Sequence, residues 1–436
     1  MPEPVRRLRY ADHDASPEQQ QTFDQLLPDE HPIRDIWRFV QGLDVTLLLE
    51  PIQALPGQPG APAFDPRILL TLWLYATLKG IGSSYQLEEL CQHHLVYQWV
   101  CGGQTISQRT LSGFRTAQLA YLNQLLTRSA ATLMHLGVAT LDEVAQDGLR
   151  VRASASASSF HQAATLAECL VKAQEQVDTL QTQLDEDPAA ASRRAQAAQQ
   201  QHAQQRVQRV QAAVTVMEQL QTHHANLTPS AQKRAKEPRS STTDADARRM
   251  KMPDGGFRPA YNVQFATTVT GGVIVGVAVT NDGTDAQQLP PMLAQIAERF
   301  DAKPKALLVD GGFVSLESID QVQRQQVTVY APVKDEQKQL KAGKDPYARK
   351  KKDTDQTAEW RERMGTPEAK ACYRRRGQTA EWVNAQVRNR GLYRVTVRGV
   401  AKVLTLVLWQ AVAHNYGCLA RFWAAQPRES ARRVAE

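Results

Sequence analysis

Cysteine is scarce in this sequence, aromatic side chains are few, and no run of about 20 residues is free of polar groups. The five cysteines, Cys91, Cys101, Cys169, Cys372 and Cys418, follow no regular spacing. That excludes a small disulfide-stapled domain and suits reduced thiols in a cytosolic protein. Cys91 and Cys101 flank His93 and His94, but the four do not make two matched pairs, and adjacent histidines on a helix point to different faces. A zinc site is not expected there. The opening residues, MPEPVRRLRYADHD, hold no apolar signal core. The most apolar run, 403–409, soon meets Gln410, His414 and Asn415, so a buried helix is expected and not a membrane span. An acidic excess is missing too: 52 Lys and Arg outnumber 45 Asp and Glu, for a formal charge of +7. This balance favours a polyanionic partner without demonstrating one.

What is present divides into regions. A chain of 436 residues exceeds the roughly 150 of a single domain, so two or three units are expected. In 31–42, Ile33, Ile36, Trp37 and Val40 recur at helical spacing. After a loop rich in Pro and Gly, 67–79 reads RILLTLWLYATLK and should be a core helix. Gly80 and Gly82 end it, and Ser83 or Ser84 can cap the next helix, 85–93. Gly102 and Gly103 then lead into TISQRTLSGFR, 105–115. Helix, tight turn and a short helix with Ser, Gln, Arg109 and Arg115 have the form of a helix-turn-helix reader or of a plain helical bundle.

Between Ser154 and Ser241 the composition shifts to Ala and Gln. Leu166, Leu170, Ala173, Val177, Leu180 and Leu184 alternate steps of four and three, the seam of a coiled coil. Pro188 should end that helix. Ala203, Val207, Val210, Val214 and Met217 repeat the pattern, so an antiparallel hairpin is expected, with an internal, dimer-forming or DNA-clamping role left open.

The rest alternates strands and helices, an α/β pattern. EVAQDGLRV at 143–151 reads as a strand carrying Asp147, and 261–280 as a β-hairpin turning at Gly271 and Gly272. After a helix at 287–300, ALLVDGGF at 306–313 is a short apolar strand ending in Asp310 and a Gly-Gly break. A helix at 316–325 and a strand at 327–333 follow. Downstream, YRRRGQTAEWVNAQVR at 373–388 has helical character and carries Glu381. A carboxylate at a strand end is costly to bury unless a cation or donor takes up its charge. Two Asp and a Glu arriving together make the all-oxygen cage that magnesium-like cations use. The segment 334–376 holds fourteen Lys and Arg against eight Asp and Glu. It reads either as a solvated loop or as a phosphate-tracking segment near the site.

The set Asp147-Gly148, the hairpin opening DGGFRPAYNVQ at Asp254, VDGGF around Asp310, and Tyr373, Arg376 and Glu381 followed by Arg388 resembles the DDE-type transposases of bacterial insertion sequences. The resemblance runs from about Leu26 to Phe422 and is weakest over the helical insertion. It implies a ribonuclease H-like mixed-sheet catalytic core behind an all-α N-terminal DNA-binding domain, with divisions at 1–137, 138–158, 159–240 for the coiled-coil insertion, 241–425, and a tail at 426–436. It further implies catalysis by Asp147, Asp310 and Glu381 on two Mg2+ or Mn2+ ions, and DNA contacts from Tyr373, Arg376, Arg388, Arg109 and Arg115. Binding of terminal inverted repeats and target DNA, a homodimer on DNA and a cytoplasmic, nucleoid-associated location complete the expectation. Two departures from the family pattern are Arg388, where Lys is usual, and Gly-Gly-Phe after the second Asp, where a small residue, Gly and Tyr are common. The competing readings are an inactive DNA-binding regulator of transposase descent and an assembly protein built around its arm.

Overall fold

The computed structural model describes residues 6–14, 21–57, 61–186 and 193–426, without the side chains of 184–186 and 193–195. Pro188, the side chain of Leu184 and all but the first residue of the expected tail lie outside that description.

Strand-forming runs meet in one six-stranded mixed sheet. Its strands in chain order are β1 (Glu143–Arg152), β2 (Arg248–Lys251), β3 (Phe257–Thr268), β4 (Ile274–Thr280), β5 (Ala306–Val309) and β6 (Thr328–Tyr330). β1 lies between β3, antiparallel, and β5, parallel, and β6 runs parallel to β5 at the edge. The twelve-residue β3 is long enough to pair β2 at one end and β4 at the other. Val144, Ala266, Leu307, Val309 and Val329 bury one face of the sheet, with helix Leu289–Phe300 over it.

The apolar helix Pro66–Leu78 is buried on nearly every side, as its unbroken hydrophobic run requires. Asp65 caps it and Pro66 opens it, the pairing of acceptor and ring favoured at a helix start. Around it pack Pro32–Gln41, Ser84–His93, Leu95–Cys101 and Gln108–Ala117. These helices share a core with the sheet through Val400–Ala425, a helix long and apolar enough for a membrane but with 83% of its apolar window buried in the protein. Two indoles lock that seam: Trp73 donates to the Leu111 carbonyl and Trp409 to that of Arg115, each at 3.0 Å.

Helices Ala163–Glu186 and Arg193–Ala225 form an antiparallel arm. Gln200 bonds Gln181, Arg206 bonds Gln176, and Leu166 packs on Ala213 and Met217. Among the described residues of the arm, Leu166, Ala173, Ala203, Val210, Ala213 and Met217 are buried. At its root Phe160–His161 pairs with Ser240–Ser241, so the arm leaves and re-enters at one point.

Two expectations need correction. The segment 334–376 is folded: Trp360 is 1% exposed in the core, and helices Asp355–Arg363 and Pro367–Arg376 occupy much of it. Its charge excess hides pairing, since Arg361 meets Asp353, Arg363 meets Glu359 and Arg375 meets Glu143. The strand expected at 327–333 shortens to Thr328–Tyr330.

Candidate active site

Register places the first two carboxylates side by side. Gln146 of β1 pairs with Val309 of β5, and the next residue in each parallel strand is an aspartate. Asp147, midway along β1, and Asp310, the residue just after β5 ends, therefore stand side by side on neighbouring parallel strands. Each is held by the backbone beyond it: the Gly148 amide donates to Asp147 Oδ1 at 2.9 Å, and the Gly312 amide to Asp310 Oδ1 at 2.8 Å.

Glu381 arrives from above. Helix Pro367–Arg376 does not run straight into Trp382–Asn389, because a π-turn, Gly377–Glu381, joins them. Ala380 in this turn packs on Ala145 and Leu308, which fixes the turn over the sheet. Such inserted turns concentrate at functional sites.

At the centre lies Arg376, its side chain 9% exposed. Its guanidinium is 3.6 Å from Glu381, 3.8 Å from Asp310 and 3.9 Å from Asp147. Among the described residues Nη1 has no hydrogen-bond partner. The three predicted acids thus converge on one cation. Among the described residues, no three His, Cys, Asp or Glu side chains stand close enough to share a metal ion, and the guanidinium lies between the carboxylates. The donor set is all oxygen and already organised around positive charge, which fits a hard divalent cation. Burial raises the Asp147 carboxyl to about 6, against the opposing pull of Arg376.

Asn384, one helical turn beyond Glu381 and 6% exposed, donates to Asp147 Oδ2 at 2.9 Å. Sequence reasoning missed it, although its spacing from Glu381 was a readable signal. A second missed group lies across the sheet: Asp285 pairs with Arg150 at 3.1 Å and accepts from Asn262 and Gln264. Of the residues expected to meet DNA, Arg388 and Arg109 are exposed and Tyr373 is half-buried. Arg115 is buried, donating to the Gly82 carbonyl and stacking over Trp73 at 4.4 Å.

Fold and site together define a mixed α/β protein whose acidic groups converge beside the carboxyl end of a parallel strand. Two family models match the chain, a transposase domain (DUF772) over residues 21–117 and a transposase DDE domain over 231–416. The chain belongs to the DDE-type transposases of insertion sequences. Asp310 and Glu381 fall inside the second match, and Asp147 lies between the two. No curated protein and no solved structure matches the chain.

Proposed function

We propose that this transposase binds the terminal inverted repeats of its insertion sequence and catalyses metal-dependent DNA cleavage and strand transfer, with Asp147, Asp310 and Glu381 as its catalytic acids. The observation that carries this reading is the gathering of all three around Arg376. The strand order, three antiparallel strands followed by two parallel ones beside the first, supports a ribonuclease H-like core. That core comprises 138–158 and 241–425, interrupted by a coiled-coil arm at 159–240 and preceded by a helical DNA-binding domain at 1–137.

The same carboxylates would hold two Mg2+ or Mn2+ ions, whose chemistry is to activate an attacking water or 3′ hydroxyl and to neutralise the leaving oxygen. The protein's own part is positional. Asn384 and the Gly148 amide fix both Asp147 oxygens, and the Gly312 amide fixes Asp310. Arg376 keeps the acids in register before DNA arrives. Exposed Arg388 and Arg109, with Tyr373, contact DNA, and a homodimer pairs the two element ends in the bacterial cytoplasm.

Incubation of the protein with Mn2+ and duplexes carrying the repeats that flank its coding region tests this. Strand nicking at the element ends is expected, lost in Asp147→Asn, Asp310→Asn and Glu381→Gln with duplex binding retained. Binding without cleavage by the unaltered protein would mark a regulator of transposase descent, and cleavage surviving all three substitutions would refute the acid assignment.

A further inference from the structure

Beyond the acidic site, a cavity of about 530 Å³ opens between the N-terminal helices and the segment after helix Trp382–Asn389. Its volume lies in the range of small-molecule sites. Two large rings line it and yet stay in water: Tyr85 is 71% exposed and Tyr393 64%. Aromatic surface left out of the core gains its stabilisation only when a partner covers it. The charge on the wall has one sign. Arg115, Arg390 and Arg394 line the cavity, and among the described residues no Asp or Glu does. Gln410, 5% exposed, also lines it, and among the described residues its amide oxygen has no hydrogen-bond partner; Arg115 Nε and Arg390 Nη1 likewise find none there.

This combination suits a ligand that is anionic at one end and flat at the other. Duplex DNA offers phosphates but keeps its bases paired and stacked inside, out of reach of a tyrosine in a cavity. An unpaired nucleotide offers both. The cavity is also well placed. Arg390 follows the helix that starts after Glu381, and eight residues of α-helix span on the order of 12 Å, about three to four base-pair rises. Exposed Arg388 lies between.

We infer that this cavity binds an unpaired nucleotide of the DNA strand near the acidic site, with Tyr85 and Tyr393 stacking on the base and the arginines holding its phosphate. The inference rests on the DNA-acting reading above and adds a site to it. Both rings are exposed, so their removal leaves the core intact.

The full-length protein is titrated into a single-stranded oligodeoxynucleotide carrying one 2-aminopurine, and separately into a labelled duplex of the same sequence. Stacking should quench the 2-aminopurine. Tyr85→Ala and Tyr393→Ala should each weaken strand binding roughly fivefold or more while leaving duplex binding unchanged, and the Phe variants, which keep the ring, should bind as the parent does. Alanine variants that bind the strand like the parent, or that lose strand and duplex affinity equally, would overturn the site. If that occurs while the parent still binds and nicks duplex DNA, only the cavity assignment fails. A parent that binds neither DNA form overturns the cavity and the proposed function together.

Discussion

The guanidinium of Arg376 stands 3.6 Å from the Glu381 carboxylate although the two are five residues apart on one helical path. In an uninterrupted α-helix, residues at that spacing point roughly 140° away from each other. The π-turn at Gly377–Glu381 adds a residue to the turn and brings them onto nearly one face. Asp147 and Asp310 reach the same guanidinium from the sheet, so one arginine links acids from three elements.

Replacing that arginine should expose the conflict it suppresses. In Arg376→Met, three carboxylates lose their shared cation, and Asp147 is only 14% exposed. The contacts are long and Glu381 is open to solvent, so the loss of stability is expected to be about 1–2 kcal/mol, below that of a fully buried pair. Calorimetric melting should show the variant below the parent without metal, and more strongly stabilised than the parent by Mn2+. Equal melting and equal metal response would mean that Arg376 does not hold the acids together.

Gly148 tests the packing behind Asp147. A Cβ there would lie 2.5 Å from Asp285 Oδ1 and 2.8 Å from Gln264 Nε2, both tied into a network with Arg150 and Asn262. Gly148→Ala should therefore cost about 1–3 kcal/mol, as other overpacked interiors do. Urea unfolding checks this, and an unchanged midpoint would show that the network shifts freely.

The acids were legible from local pattern: Asp147 before a glycine in a strand-like run, Asp310 at the end of four apolar residues, and Glu381 in a stretch of helical character. The geometry of their convergence was not. It depends on the register Gln146 to Val309 and on a π-turn, neither of which leaves a periodic trace in composition. Nor does a count of charges reveal that Arg361 and Asp353 are partners, or that Arg115 is buried against Trp73. Pairing is a property of the folded neighbourhood, and spacing along the chain reports only neighbours within a turn or a strand.

The Arg361–Asp353 pair makes the third prediction. Its two bonds, 2.8 and 2.9 Å, join side chains that are 7% and 1% exposed. Removing the arginine alone leaves a carboxylate in the interior, so Arg361→Met should cost about 3–5 kcal/mol. Adding Asp353→Leu should recover much of that, because the uncompensated charge goes with it. A double variant as unstable as the single one, in the same denaturant titration, would show that packing around the pair and not its charge sets the loss.

The last prediction concerns acid. His414 is 1% exposed, donates from Nε2 to the Gly272 carbonyl at 2.8 Å, and meets the ring of Trp382 edge-on. Burial lowers its pKa from 6.5 to about 4, with Arg390 and Arg421 pushing the same way. Between those values the unfolded chain binds a proton that the folded chain refuses. Stability is therefore full above about pH 6.5 and falls as the pH drops towards 4, by up to about 3 kcal/mol. Asp147 works in the opposite sense: its raised pKa lets the folded state take up a proton between 3.8 and about 6, which stabilises it as the pH falls. The two effects overlap, so a single pH curve cannot separate them. His414→Gln can, because it keeps a donor for Gly272 and removes the titration. Denaturant midpoints measured from pH 7.5 to 4.5 should fall less steeply for this variant than for the parent, and parallel curves would assign the acid sensitivity elsewhere.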